Sequence, residues 1–461
     1  MSRLVVVSNR VPNPRATQPQ AGGLSVALSG ALKRRGGMWF GWDGQLSQGP
    51  VSRPRIEQAD GIDYATLPLS RADYDDFYLG YSNAVIWPVF HFNLGAMDYQ
   101  RSHSEGYARV NALFADALTP LLEPDDTLWV HDYHLMPLAR ELRERGVRQR
   151  IGFFLHIPFP DYDVLRAMPG HRQLLEDLCR FDLLGFQTEN DRHAFEESAS
   201  LAVGALVHEP GRLRHRNREL RTGVYPVGVD VDELADVSQR TLTAPRVRRL
   251  LDGLGERDLI IGVDRLDYSK GLEQRFRAFE TLLQDYAHRR GHTVLMQIAS
   301  PSRSSISEYA DLRQRLEGLT GHINGAYADL DWAPIHYLNK TFARGSLMGL
   351  YRAARVGLVT PLRDGMNLVA KEYVSSQDPD NPGVLVLSEL AGAAAELEAA
   401  VLVNPYDLDS IAAGVNTALA MPLPERRRRH AQMMDVLRAN AIDVWEARFM
   451  ADLTGPAESA D

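Results

Sequence analysis

Short runs of apolar residues alternate with amphipathic stretches from one end of the chain to the other. That alternation of strand and helix signals predicts βαβ units and parallel sheets. In the first half, strands are expected at Leu4 to Asn9, Thr127 to Asp132, Arg150 to Ile157, Leu183 to Gln187 and Val224 to Val229. In the second half they are expected at Leu259 to Val263, Thr293 to Ile298, Val356 to Thr360, Val384 to Leu387 and Val401 to Val403. Several of these runs are continuously apolar, as strands covered on both faces are. Asp163 to Arg180 and Leu272 to Arg290 carry helical spacing. The fold class read from this pattern is α/β, with two Rossmann-like doubly wound domains facing across a cleft. The polar stretch around Gln239 to Arg249 puts the boundary between about 230 and 257, and the domains are drawn as 1–235 and 236–461.

Composition narrows the class. The chain has 461 residues, and at ~100 to 200 residues per domain that length allows two or three domains. Its 44% hydrophobic and 24% charged content is that of a globular protein with a substantial core and excludes wholesale disorder. One cysteine, Cys179, cannot form an intrachain disulfide, so a secreted disulfide scaffold is excluded and a cytoplasmic location is expected. The apolar run Leu4 to Val7 is too short for a signal peptide. No stretch approaches the ~20 apolar residues that span a bilayer, so no membrane partner is expected. A net charge of -9 argues against nucleic acid, which calls for a basic field. Phosphorylated small molecules need only a local basic cluster. Arg212 to Arg221 and Arg426 to His430 read as solvated charged faces.

The residues that could carry chemistry sit just after expected strands, where doubly wound sheets bind ligands. The first strand ends in Ser8-Asn9-Arg10 and leads to Ala21-Gly22-Gly23-Leu24. Glycines let a backbone approach a ligand closely and helix-opening amides bind anions, although a ligand-free turn fits the same residues. The stretch from Asp264 to Gly271 contains Arg265 and Lys270. Together they could neutralise a diphosphate, or Arg265 could form a structural ion pair with Asp264 or Asp267; spacing does not separate the two. From Thr360 the chain turns at Asp364-Gly365 and opens a helix whose amides suit phosphate, with Glu372 two helical turns on and able to accept from sugar hydroxyls. Tyr78, Trp87, Asp132 and His156 belong to the first half. The two histidines of His131-Asp132-Tyr133-His134 invite a metal, but no partner set with zinc spacing accompanies them. No G-x-S-x-G signature of serine catalysis is present. Residue by residue, the reading ends at an enzyme that handles phosphorylated, hydroxyl-rich ligands.

Taken together, S-N-R, A-G-G-L, W-F-G-W at Trp39 to Trp42, S-N-A-V-I-W-P at Ser82 to Pro88, W-V-H-D-Y-H-L, F-F-L-H-I-P-F-P, G-F-Q-T-E-N-D, R-L-D-Y-S-K-G and L-R-D-G-M-N-L-V-A-K-E resemble the trehalose-6-phosphate synthase family. The match runs in order from residue 2 to about 450. The resemblance implies the two-Rossmann architecture called GT-B. It also implies transfer of glucose from a nucleotide sugar, expected to be UDP-glucose, to glucose 6-phosphate, giving α,α-trehalose 6-phosphate and UDP. By the same motifs Arg265 and Lys270 would bind the donor diphosphate with the Gly22-Gly23 loop, and Glu372 would hold the ribose. Phe342, Leu368 and Val369 would line the nucleotide site, with Ala370 and Lys371 in the same donor stretch. Asp364, His156 and the amides of Gly365, Met366 and Asn367 would hold the donor glucose. Arg10, Tyr78 and Arg303 would grip the acceptor phosphate, while Asp132 and Trp87 orient its ring.

The N-terminal domain would then bind the acceptor and the C-terminal domain the nucleotide sugar, with room for the last helix to pack back on the first domain. Arg265, Lys270, Asp132, His156 and Asp364 would carry the reaction. The family's front-face mechanism requires no metal and no cofactor, and a homo-oligomer, dimer or tetramer, is expected. The arginine-rich segment 212–221 and the proline-rich Val11 to Gln20 depart from the family pattern, and the motifs do not read the nucleotide base. Two other readings are a pseudoglycosyltransferase of the validoxylamine-phosphate-synthase type and a non-catalytic sugar-phosphate sensor. Gly22, Gly23, His156 and Asp364, all present, favour the true transferase.

Overall fold

Sixteen strands and the helices between them follow the alternation expected from the sequence in a computed structural model, which describes residues 3–15, 23–49, 53–302 and 307–455. The chain divides into two compact units, Met1–Pro226 with Asp443–Asp461, and Val227–Ile442.

The first unit is built on a ten-stranded sheet. Its strands are β1 (Leu4–Arg10), β2 (Gly37–Ser47), β3 (Arg55–Ala59), β4 (Ile62–Ser70), β5 (Thr127–His131), β6 (Arg150–Phe154), β7 (Leu183–Phe186), β8 (Leu206–Glu209), β9 (Arg212–His215) and β10 (Arg218–Val224). Their order is β3-β4-β2-β1-β5-β6-β7-β10-β9-β8. The centre is parallel, with Ser8 opposite His131 and His131 opposite Phe154, so the carboxyl ends of β1, β5 and β6 lie side by side. The strand order reverses direction at β1 and β5, the switch point where such sheets bind ligands. Leu4 to Val7 are buried throughout, which is why that run is continuously apolar. The last helix, Ile442–Thr454, packs on this sheet: Trp445 and Phe449 each lie 4.9 Å from the Trp129 ring.

The second unit has a six-stranded, all-parallel sheet of β11 (Asp258–Arg265), β12 (Thr293–Ser300), β13 (Ile335–Leu338), β14 (Val356–Val359), β15 (Val384–Ser388) and β16 (Val401–Val403). Their order is β13-β12-β11-β14-β15-β16, with the reversal between β11 and β14.

Three expectations are corrected. Val224 to Val229 is not a strand; the chain pairs at Arg218–Val224 and then leaves the sheet. The arginine-rich stretch 212–221 carries its charges on a solvated face as expected, but it is the β9-β10 pair at the sheet edge rather than a loop, with Arg212 on Glu209 (3.1 Å), Arg216 on Glu176 (3.0 Å) and Arg218 on Asp182 (2.7 Å). Asp163 to Arg180 is two helices, broken where Gly170 takes φ 82. The division between units at 226/227 lies before the expected 235/236, because helix Val231–Leu242 packs on helix Arg344–Ala353 of the second unit. Arg344 there donates to Glu233 at 2.9 Å. Among the described residues, no helix is long and apolar enough to cross a membrane.

Candidate active site

In the first unit, the motif Ser8-Asn9-Arg10 is shaped by an irregularity in the β1-β2 pairing between Ser8 and Arg10. The buried Ser8 hydroxyl accepts from Trp39 Nε1 (2.8 Å) and donates to the Arg10 carbonyl (3.0 Å), which fixes the backbone there. Arg10 is exposed and stands over the Trp42 ring at 5.7 Å. Its guanidinium fills the space a side chain at Gly44 would take: a Cβ there would lie 2.7 Å from Nη2, and Gly44 holds φ +85. Trp42 also contacts Tyr78 at 6.1 Å. Tyr78 is carried by a π-helical stretch, Tyr74–Ile86, a rare conformation that recurs at functional sites. Tyr78 stacks on His134 at 5.8 Å, and Trp87 packs on Tyr133 at 5.6 Å. Arg10, Tyr78 and Trp87 are thus linked through Trp42, His134 and Tyr133 in one ring cluster.

Asp132 follows β5 with φ 74, strained for a non-glycine residue, and such strain concentrates at functional positions. Its N–H donates to Phe154 O (2.9 Å) and its Oδ1 accepts from His156 N (3.3 Å), so the ends of β5 and β6 hold each other. His156 is in turn bonded to His131, with Nε2 3.1 Å from His131 Nδ1. Burial pushes the His156 imidazole down to about 3. Of the two H-D-Y-H histidines, His131 bonds another imidazole and His134 lies buried against Tyr78 and Tyr133. Among the described residues, no group of three His, Cys, Asp or Glu side chains could hold a metal ion.

In the second unit, two loops meet at the β11/β14 switch point. Leu362 N donates to Ser269 O (2.8 Å). Lys270 Nζ donates to Asp364 Oδ2 (2.5 Å), which also accepts from Asn367 Nδ2 (3.0 Å). Asn367, at φ 82, caps the helix Leu368–Ser375 by accepting from Ala370 N (3.2 Å). The left-handed turn therefore sits at Asn367 rather than at Asp364-Gly365. Helix geometry leaves the N–H groups of Leu368 and Val369 without intrahelical partners, and an anion is favoured there. Arg265, its side chain 48% exposed, is 4.0 Å from Asp267. Asp264 is taken by Arg275 instead, which narrows the structural reading of Arg265. Met366 and Gly365 are buried, and Phe342 is half-buried ahead of helix Arg344–Ala353.

Lys371 is a correction. Its side chain is fully buried, paired with Glu396 and donating to Val227 O at 2.7 Å, so its ammonium serves the interior. Glu372, on the next position, is pushed up to about 7 by burial. Gly23 opens the helix Gly23–Arg35, while Gly22 and Arg303 lie outside the described residues.

The model of glycosyltransferase family 20 matches residues 2–455. The chain belongs to glycosyltransferase family 20. It is 51% identical over 455 residues to a trehalose-6-phosphate synthase of Klebsiella pneumoniae, covering 98% of this chain and 95% of that protein. A UDP-forming α,α-trehalose-phosphate synthase of Burkholderia xenovorans, solved in complex with glucose-6-phosphate, superposes with a TM-score of 0.95 at 51% identity, covering 98% of this chain and all of that one. An E. coli structure bound with UDP-2-fluoro glucose gives 0.94 at 48% identity, covering 99% and 100%.

This member of family 20 also holds residues that sequence reasoning missed. Arg275 is fully buried and donates to Asp264 (2.6 Å), Gln297 (2.7 Å) and Thr360 Oγ1 (3.1 Å), tying together the loops that follow β11 and β14. Gly262 makes room for it, since a Cβ there would lie 2.5 Å from Arg275 Nη1. Trp42, Gly44 and His131 were also missed as site residues, although Trp42 and His131 stand inside quoted motifs.

Proposed function

We propose that the chain is a retaining glucosyltransferase that moves glucose from UDP-glucose to glucose 6-phosphate, giving α,α-trehalose 6-phosphate and UDP. The reading is carried by the near-full-length identity of about half to UDP-forming synthases, coupled with a cationic pair, Arg265 and Lys270, at the switch point of the second sheet. The first unit takes the acceptor: Arg10, Tyr78 and Arg303 hold its phosphate, and Trp87 and Asp132 its ring. The second takes the donor: Arg265 and Lys270 hold the diphosphate, Gly22 and Gly23 assist, and Glu372 accepts from the ribose hydroxyls. Phe342 and the stretch from Gly365 to Ala370 line that site, while Asp364 and His156 hold the glucose.

In the front-face reaction the acceptor hydroxyl attacks the anomeric carbon from the side UDP is leaving. The C–O bond to the diphosphate breaks, the new glycosidic bond forms, and a departing phosphate oxygen takes the hydroxyl proton. The protein supplies orientation and stabilises charge growing on the diphosphate. Arg265 and Lys270 give that positive charge, so no divalent cation is assigned. Lys270 must exchange Asp364 for the diphosphate as the donor binds. The buried single cysteine fits a cytoplasmic enzyme, and a dimer or tetramer is its proposed assembly, measurable by light scattering.

The test is UDP release by purified protein given UDP-glucose and glucose 6-phosphate. No release with this pair, nor with GDP- or ADP-glucose, would refute the reading. Two finer results are expected. Gly44→Ala pushes the guanidinium of Arg10 off Trp42 and raises KM for glucose 6-phosphate about tenfold, the equivalent of one weakened hydrogen-bonded charge contact; an unchanged KM removes Arg10 from the phosphate site.

Glu372 gives the second. Its carboxyl, raised from 4.5 to about 7, must ionise to accept from two hydroxyls. Donor affinity therefore rises as pH passes up through about 7 and falls below it, and binding at pH 7 releases about half a proton. Calorimetry in buffers of different ionisation enthalpy reads that number, and Glu372→Gln abolishes it. In the ligand-free chain the sign is opposite: a raised acid stabilises below the unfolded value of 4.5, and that contribution is lost as pH rises toward 7.

A further inference from the structure

We propose that His131 is the positioning residue for the His156 imidazole: its Nδ1–H donates to His156 Nε2, fixing His156 as the tautomer that carries its proton on Nδ1 and offers it to a sugar oxygen. The consequence for catalysis rests on the reading of His156 as a donor-glucose contact; the tautomer itself does not.

The two rings are 3.1 Å apart between His131 Nδ1 and His156 Nε2. Burial lowers the affinity of both for a second proton, His156 to about 3 and His131 well below its ordinary value, where the neighbouring His156 adds to the effect of burial. Both imidazoles are therefore neutral near pH 7, and one proton occupies the bond between them. Two arrangements satisfy that bond. If His156 donated, His131 would carry its own proton on Nε2.

That atom is buried and has no hydrogen-bond partner among the described residues. Besides His156, the rings packed on the His131 imidazole are Trp129, Trp445 and Phe154, with centroids 4.6, 6.4 and 6.4 Å from its own. The indoles can only donate, and Nε1 of each is itself without a partner among the described residues. Phenylalanine offers neither donor nor acceptor. A third N–H in this setting would have nothing to bond, and buried donors left unpaired are rarer in proteins than under-used acceptors. The proton therefore sits on His131 Nδ1. His156 Nε2 becomes the acceptor, and His156 Nδ1, which has no partner among the described residues, carries the hydrogen. A neutral N–H suits a sugar hydroxyl oxygen, and it cannot serve as an acid at working pH.

The experiment is long-range 1H–15N correlation spectroscopy of the full chain labelled with 15N-histidine, the His156 signals being those lost in His156→Gln. The expected pattern is that of an Nδ1–H tautomer for His156 and for His131. In His131→Phe, which keeps the aromatic packing, His156 shifts toward the Nε2–H form. Its kcat falls about tenfold, the fold-change of one neutral hydrogen bond, with KM for glucose 6-phosphate unchanged. His131→Asn places an amide N–H where Nδ1 stood and recovers kcat to within about threefold of the parent. An Nε2–H signature for His156 in the parent chain overturns the proposal, and so does a His131→Phe variant with parental kcat or a His131→Asn variant as slow as phenylalanine. Should the phenylalanine variant not fold, the parent spectrum alone decides. A parent enzyme that releases no UDP would sink the functional reading and leave the tautomer result standing.

Discussion

Arg275→Met is expected to destabilise the second unit by about 3 to 5 kcal/mol, because it strands a buried carboxylate. Arg275 is fully buried and Asp264 nearly so, with Nη1 2.6 Å from Asp264 Oδ2. Methionine fills most of the volume but leaves Asp264, among the described residues, with the Gln297 amide at 3.3 Å as its side-chain partner. Removing both charges as Asp264→Asn with Arg275→Met should recover a large part of the loss, since the cost lies in the uncompensated ion rather than in the absent pair. The same change loosens the site. Arg275 also holds Thr360 Oγ1 (3.1 Å) and the Lys270 carbonyl (3.4 Å), so the loops bearing Lys270 and Asp364 lose their common anchor. Urea unfolding of the full chain, read with donor KM, checks both effects. A midpoint unchanged from the parent would show that Arg275 carries no such load.

The same contacts decide which parts of the fold are legible in the sequence. Strands buried on both faces, such as Leu4 to Val7 and Leu259 to Val263, announce themselves as unbroken apolar runs, and the residues at their carboxyl ends inherit a predictable place. β2 and β4 do not: Asp43, Gly44 and Gln45 cut the first short after its buried Met38 to Trp42, and Asp63, Thr66 and Pro68 break up the second, so neither reads as an unbroken apolar run. β9 and β10 were hidden by arginines whose partners, Glu176 and Asp182, are distant in sequence. The motif K-E was legible as a pair but not as two opposed roles. Only the fold reveals that Lys371 faces Glu396 in the interior while Glu372 keeps partial access to solvent. Arg275 was invisible because a single arginine in an amphipathic helix reads as surface charge. His131 was visible, but as half of a metal pair, since spacing along the chain gave no hint that β6 would bring His156 to its ring.

Arg265→Ala is expected to lower kcat/KM for UDP-glucose about a hundredfold. Lys270 and Arg265 are held very differently. Lys270 is mostly buried and already neutralised by Asp364 at 2.5 Å, so part of what it gives the diphosphate is spent on leaving that carboxylate. Arg265 is half exposed, and Asp267 sits at the 4.0 Å limit of an ion pair. Asp267 is meanwhile satisfied by Ser269 N (3.0 Å), Ser269 Oγ (2.9 Å) and Tyr309 OH (3.3 Å). Asp267 keeps these three partners when Arg265 is removed. The diphosphate loses a planar fork of donors as its charge grows. A charge-assisted contact of this kind is worth ~1.5 to 3 kcal/mol, or about 10 to 100-fold in rate, with the upper end expected where both prongs engage. Arg265→Lys should recover only part of that, because an ammonium is a point charge that cannot bridge two phosphate oxygens in one plane. Initial rates against UDP-glucose at saturating glucose 6-phosphate separate the outcomes. Turnover near the parent's in Arg265→Ala would remove this residue from the chemistry and leave the diphosphate to Lys270 and the amides of Leu368 and Val369.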